Sequence, residues 1–303
     1  MTGRGSARSA VAVIRVQQIH TLDLPELAPY RTLRRPLEHQ QQGIFVAEGT
    51  KVVERLLESK FAVINALMPE KWLVQFEPLL RARPEPEITV YVAEKELVEQ
   101  LVGFPMFQGV LAIGRIPVPE TLDSVLAKST PPRLFVAIDA LTNAENVGTI
   151  VRNSMAFGAQ ALLVGETCCS PFLRRAVRSS MGAIFQLPVV EVNDLAAALR
   201  ELARRGFRTV AAHPHATDRP LPKADFKGDC CIVFGSEGYG IRPEVLEACT
   251  DAAAIPMQGG VDSLNVCAAA AVFLYEVARQ RGLWAVSAAS PATGPDTEQD
   301  HQF

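Results

Sequence analysis

The chain has 303 residues, 48% of them hydrophobic and 21% charged, with a formal net charge of -3 at pH 7. This composition excludes a wholly disordered chain and a disulfide-stapled miniprotein, and the charge excludes nucleic-acid binding through bulk positive charge. The length suggests about two domains, and no apolar run approaches the roughly 18 residues that a membrane-spanning helix needs.

Residues 1–15 read as a flexible leader. It carries Arg4, Arg8 and Arg15, no acid and one five-residue apolar run, too short for a secretory signal although its composition also fits an organellar transit peptide. Residues 16–115 read as a compact α/β unit. Strands are expected at Gly43–Ala47, Ile64–Leu67, Ile88–Val92 and Gly109–Ile113, with helical patterns over Gly49–Ser59 and Glu94–Leu101. The N-terminal end is locally basic, with Arg31, Arg34 and Arg35 among its cations. Residues 116–132 contain Pro117, Pro119, Pro131 and Pro132 around one short helical pattern, the composition of an inter-domain linker.

From Arg133 the pattern alternates buried strand with helix. Leu134–Asp139 is an apolar strand, Ala144–Gly158 a helix stopped by Gly158, and Ala161–Gly165 the next strand. A helix over Leu195–Arg205, strands at Thr209–Ala212, Cys230–Gly235 and Ala252–Ile255, and a helix over Ser263–Arg281 complete the series. Apolar strands alternating with helices imply a parallel sheet covered on both faces. The tail, residues 285–303, has no apolar period and reads as disordered. All six cysteines lie in the second half, with no C-x-x-C pair and two adjacent pairs in or beside apolar runs, so they read as buried free thiols in a reducing cytosol.

In an open parallel sheet, ligands bind beyond the C-terminal ends of the strands, so the informative residues lie in the loops that follow them. Three loops stand out: Asn143 to Arg152, Gly235 to Gly240, and Ile255 to Asn265. Taken singly, each has an ordinary structural explanation. Asn146 can cap a helix, Gly148 can allow close packing, Arg152 can pair with a carboxylate, and Ser263 can cap the last helix. The glycines of the second loop run G-x-x-G-x-G, not the dinucleotide-binding G-x-G-x-x-G.

Together and in this order the three loops closely resemble the signature motifs of the SpoU/TrmH family of RNA ribose 2'-O-methyltransferases, within the SPOUT superfamily. The resemblance rests on Asn143, Asn146, Gly148 and Arg152 followed by Ala156-Phe157-Gly158, then Gly235, Glu237, Gly238 and Gly240, then Ile255-Pro256-Met257 and Ser263-Leu264-Asn265. It covers about residues 133–282, with Arg178-Ser179-Ser180-Met181-Gly182-Ala183 similar to the family's connecting segment. Two departures are the Ala144-Glu145 in place of a Pro common before the second Asn of the first motif, and Cys267 where Ser is frequent. More loosely, Gly43 to Gly49 and Gln108 to Ala112 resemble the L30e-like substrate-binding domain that often precedes that catalytic domain.

The resemblance implies an α/β fold: a C-terminal SPOUT domain (133–284) with a parallel sheet and a trefoil knot, preceded by a smaller L30e-like RNA-binding domain. It implies S-adenosyl-L-methionine as cofactor, structured RNA (rRNA or tRNA) as substrate and a homodimer; the cysteine usage places the protein in the cytoplasm, and no residue spacing suggests a metal site. It assigns the central role to Arg152, as proton acceptor or as the group that steers phosphate and ribose, with Asn146, Glu237, Ser263 and Asn265 beside it. Gly235, Gly238, Ile255, Met257 and Leu264 would hold the cofactor. Arg31, Arg34, Arg35, Arg174 and Arg178 are candidate RNA contacts, although a solvated helix face explains the last two nearly as well. His213-Pro214-His215 fits no familiar ligand spacing and reads as a loop. Two other classes compete: a catalytically inactive RNA-binding module of the same fold, against which the retained polar residues argue, and a nucleotide-dependent oxidoreductase, which lacks its fingerprint.

Overall fold

The strand-forming segments sort into two sheets. The computed structural model describes residues 12–102, 109–258, 260 and 262–283; residues 1–11 of the expected leader and the whole expected tail lie outside them. The first sheet comprises β1 (Val13–Gln18), β2 (Ile44–Glu48), β3 (Val63–Met68), β4 (Glu87–Val92) and β5 (Leu111–Arg115), in the order β1-β4-β3-β5-β2. It is mixed, because β5 runs antiparallel to both β2 and β3 while β1, β4 and β3 are parallel. β1 begins at Val13, inside the stretch read as leader. It is an edge strand whose residues are mostly exposed, so no apolar face marks it in the sequence.

Helices α1 (Ala28–Arg31), α2 (Pro36–Gln41), α3 (Thr50–Glu58), α4 (Glu70–Arg81) and α5 (Lys95–Val102) join these strands. α3 buries Val52, Val53, Leu56 and Leu57, a single stripe at helical spacing. Its C-terminal carbonyls are capped from outside by Arg83, which donates to Leu57 O at 2.9 Å and pairs with Glu85 at 2.7 Å. α4 carries Pro78 within it and was not expected from its composition.

After α6 (Leu122–Lys128), within the linker, the second sheet takes over. Its strands are β6 (Leu134–Ile138), β7 (Ala161–Val164), β8 (Val189–Glu191), β9 (Arg208–Ala212), β10 (Cys230–Phe234) and β11 (Asp251–Ala253). They are all parallel, in the order β11-β9-β10-β6-β7-β8. β6 and β10, at the centre, are buried along their whole length, as continuous apolar runs require. Helices α7 (Ala144–Ala156), α8 (Arg174–Ser179), α9 (Leu195–Arg204), α10 (Pro243–Ala248) and α11 (Val266–Gln280) surround it. Just beyond α11, Arg281 donates to the carbonyls of Phe226 (2.8 Å), Pro132 (2.9 Å), Arg133 (3.0 Å) and Gly228 (2.6 Å), fastening the last helix to the base of the sheet.

The two sheets meet along an aromatic seam. Phe45 and Phe61 from the first face Phe172 and Phe185 from the second, with Phe45–Phe185 and Phe61–Phe185 ring centroids 5.5 and 5.4 Å apart. Glu48, 4% exposed at the end of β2, pairs with Arg174 at 2.6 Å and Arg178 at 3.3 Å on α8. Arg55 of α3 donates to the carbonyl of Met181, just past α8.

Candidate active site

The loops leaving β6, β10 and β11 meet at one end of the second sheet. α7 starts where Asn143 caps it, its Oδ1 accepting from the Glu145 amide at 2.9 Å and the Asn146 amide at 3.5 Å. Asn143, not Asn146, is therefore the cap, and Asn146 lies within the first turn of the helix. Gly148 packs directly on α8; a Cβ there would sit 2.2 Å from the Ala176 carbonyl oxygen. Arg152 is exposed on α7 and makes no hydrogen bond or ion pair among the described residues.

The second loop turns back on itself. Ser236 and Gly240 exchange backbone hydrogen bonds of 2.9 and 3.0 Å, and a Cβ on Gly235 would lie 2.2 Å from the Gly240 carbonyl carbon. Only glycine fits there. At Gly238 an added Cβ would meet nothing within 4 Å, so packing does not require glycine at that position. The loop is anchored below by Asp139, a fully buried carboxylate at the end of β6 that accepts from Arg242 N at 2.7 Å and Arg242 Nε at 2.8 Å. Arg242 also reaches Glu166 at 2.6 Å. Burial pushes the Glu166 carboxyl up, but its own amide, Arg242 and the Leu195 amide outweigh this and hold it below the usual range.

In the third loop the last helix begins at Val266, three residues later than expected. Asn265 caps it by accepting from the Cys267 amide at 2.9 Å, whereas Ser263 is exposed and makes no hydrogen bond among the described residues. The amide group of Asn265 also donates to Glu237, which joins the third loop to the second. The Cys267 thiol lies 3.4 Å from Asn146 Oδ1 and 3.5 Å from its carbonyl oxygen, which joins the third loop to the first. Burial raises the pKa of this thiol against a smaller opposing effect of Thr149, so it stays protonated and donates. The position where Ser is frequent in the resembling family is thus still filled by a hydrogen-bond donor.

A cavity of about 330 Å³ opens beside these contacts. Gly235, Glu237, Gly238, Ile255, Met257, Ser263 and Leu264 line it, as do His213, His215, Tyr239 and Asp262, which sequence reasoning did not place there. Asn265 reaches its wall through Glu237, and neither Asn146 nor Arg152 is among the residues that line it. The candidate RNA contacts divide. Arg31 is engaged by the Leu22 and Leu24 carbonyls, Arg35 by Glu38 at 3.0 Å, and Arg174 and Arg178 by Glu48; Arg34 is exposed without a partner among the described residues. Of the six free cysteines, Cys230 and Cys231 are buried and the other four half-buried, a correction to their uniform reading as buried.

A model of the SpoU rRNA Methylase family matches residues 133–275. An uncharacterized tRNA/rRNA methyltransferase of Mycobacterium tuberculosis is 32% identical over 272 residues, which cover 87% of this chain and 92% of that protein. The chain belongs to the SpoU family of RNA methyltransferases. Its similarity to another member, the 23S rRNA (guanosine-2'-O-)-methyltransferase RlmB of Ralstonia nicotianae, is 31% identity over 210 residues, 69% of this chain and 84% of the relative. Among solved SpoU structures, AviRb from Streptomyces viridochromogenes in complex with the cofactor AdoMet superposes with a TM-score of 0.74 at 25% identity, covering 85% of this chain and 98% of that one. The crystal structure of an RNA 2'-O ribose methyltransferase superposes with a TM-score of 0.73 at 26% identity, covering 88% and 99%. No described helix is long and apolar enough to cross a membrane.

Proposed function

We propose that this SpoU methyltransferase acts on a ribose 2'-hydroxyl in structured rRNA or tRNA. The observation that carries the reading is one cavity lined by the second and third motifs, which the Asn265–Glu237 contact joins to each other and the Cys267–Asn146 contact joins to the first. S-adenosyl-L-methionine is the cofactor, and the cavity fits it. The tight turn at Gly235 brings backbone amides and carbonyls to the wall, Ile255, Met257 and Leu264 offer apolar surface for an adenine, and Glu237 and Asp262 offer negative charge to a sulfonium.

When bound, the cofactor supplies a methyl already activated for transfer by its sulfonium. The protein's task is to hold a ribose oxygen in line with that methyl and to disperse one proton as the O–C bond forms. Arg152, whose guanidinium no neighbour engages, contacts phosphate and ribose together and steers the hydroxyl; a guanidinium offers a planar set of donors and no acceptor, so it serves better as an orienting fork than as the proton acceptor. Asn146, Glu237, Ser263 and Asn265 position the ribose and the loops around it.

Arg152 does not line its own chain's cavity, and Val272, Tyr275 and Leu283 leave an exposed apolar strip on and just past α11, where Tyr275 meets Phe157. Both features support a homodimer in which one protomer's α7 completes the other's site. The unit built on the first sheet, residues 13–115 with the basic Arg34, is the RNA-binding unit, L30e-like in kind; the second unit is a knotted SPOUT domain that starts at Arg133. The protein works in the cytoplasm. Calorimetry should give binding of S-adenosylhomocysteine and none of NAD, and mass mapping of RNA from a deletion strain should give one missing ribose methyl group. Loss of a base methyl group instead would overturn the 2'-O assignment.

A further inference from the structure

The end of β9 contributes to the cavity a side chain that belongs to none of the three motifs. His213 follows β9 directly, between the loops leaving β10 and β11, because β9 lies between those strands in the sheet. Its backbone is fixed on both sides: its amide donates to Ala253 O at 3.0 Å, and its carbonyl accepts from Ala216 N at 3.1 Å. Its ring is fixed as well. The His215 amide donates to His213 Nδ1 at 3.2 Å, so the neutral imidazole carries its proton on Nε2. Burial, and then His215, lower the pKa of this ring, which keeps it in that neutral, single-donor form near pH 7.

The charges around the cavity give this donor a purpose. Among the described residues that line it there is no Lys or Arg, the carboxylates are Glu237 and Asp262, and His213 and His215 hold the only side-chain N–H groups. S-adenosylmethionine brings two cationic groups, the sulfonium and the ammonium, and one anionic group, the carboxylate. Glu237 and Asp262 complement the cations, and a carboxylate leaving water needs N–H donors.

We propose that His213 binds the α-carboxylate of the cofactor through Nε2–H, and so distinguishes ligands with the amino-acid moiety from bare adenosyl thioethers. This rests on reading the cavity as the cofactor site. It is tested by calorimetry of the full-length protein with S-adenosylhomocysteine and with 5'-methylthioadenosine, which lacks the amino-acid group. His213→Ala should weaken S-adenosylhomocysteine by about tenfold, as expected for a hydrogen bond to a charged group, and leave methylthioadenosine within about twofold. His213→Gln, which keeps an N–H at similar reach, should retain most of the affinity. His215→Ala, which keeps the backbone amide that fixes the His213 ring, should cost less than His213→Ala. Equal loss for both ligands, or no loss for either, overturns the role of His213, and the glutamine variant decides the matter if the alanine variant does not fold. Wild-type protein that binds neither ligand would instead overturn the cofactor site itself.

Discussion

Helices α7 and α8 pack together at Gly148; the one arginine of α7, Arg152, and two of the three on α8, Arg174 and Arg178, have opposite surroundings. On α8, Arg174 and Arg178 converge on Glu48, a carboxylate from the other sheet that is almost wholly buried. On α7, Arg152 projects from the surface with no partner among the described residues. A guanidinium drawn into an ion pair with a buried carboxylate is held as part of the fold, because removing either partner strands a charge. An unengaged one keeps its fork for a ligand. Similar residues on adjoining helices are thereby divided between holding the two sheets together and meeting RNA.

Substitution of Arg152 should sharpen this contrast most. Arg152→Ala should lower methylation at saturating cofactor by about a thousandfold while the thermal midpoint stays within about 2 °C of wild type. Arg152→Lys should not restore turnover, since an ammonium supplies charge without the planar fork. A lysine variant with near-normal turnover would break the contrast from the α7 side.

The converse test removes Glu48. Glu48→Ala leaves the largely buried Arg174 without its carboxylate and should cost about 3 kcal/mol of stability in denaturant unfolding. A variant as stable as wild type would show that the seam rests on its phenylalanines alone. At the contact between the two helices, Gly148→Ala must push α8 away by more than a side-chain rotation allows, and should cost about 2 kcal/mol. The smallest effect is expected at Arg34. Arg34→Ala should weaken RNA binding about threefold and reduce the slope of log affinity against log salt by about 1, without changing cofactor affinity.

How much of this was legible in the sequence depended on the range of the interaction. The central strands β6 and β10 declare themselves as continuous apolar runs, and the three motifs can be read as linear patterns. Which of two capable side chains caps a helix cannot: Asn143 and Asn146, or Ser263 and Asn265, offer the same acceptor chemistry, and the choice falls to the residue that sits where the helical backbone begins. The pairing of Glu48 with Arg174 spans 126 positions, so the sequence offers Arg174 and Arg178 as candidate RNA contacts without showing the carboxylate that they share. His213, which reads as part of a loop, is a similar case. Its place on the cavity wall follows from the lateral order of β11, β9 and β10, which no local pattern encodes.

That lateral order also bears on how the protein is made. β6 lies between β7, which follows it after one helix, and β10, which leaves the ribosome nearly a hundred residues later; the pairing of Arg133 with Asp229 at the base of those strands spans 96 positions. Throughout that interval one edge of a wholly apolar strand has no neighbour to receive its amides and carbonyls. The clasp that closes the unit, Arg281 on the carbonyl of Arg133, spans 148 positions and cannot form until α11 has emerged. A nascent chain stalled between β7 and β10 would therefore present an open, sticky strand edge, and synthesis of this protein should depend on chaperone cover during that window more than its finished, well-sealed sheet would suggest.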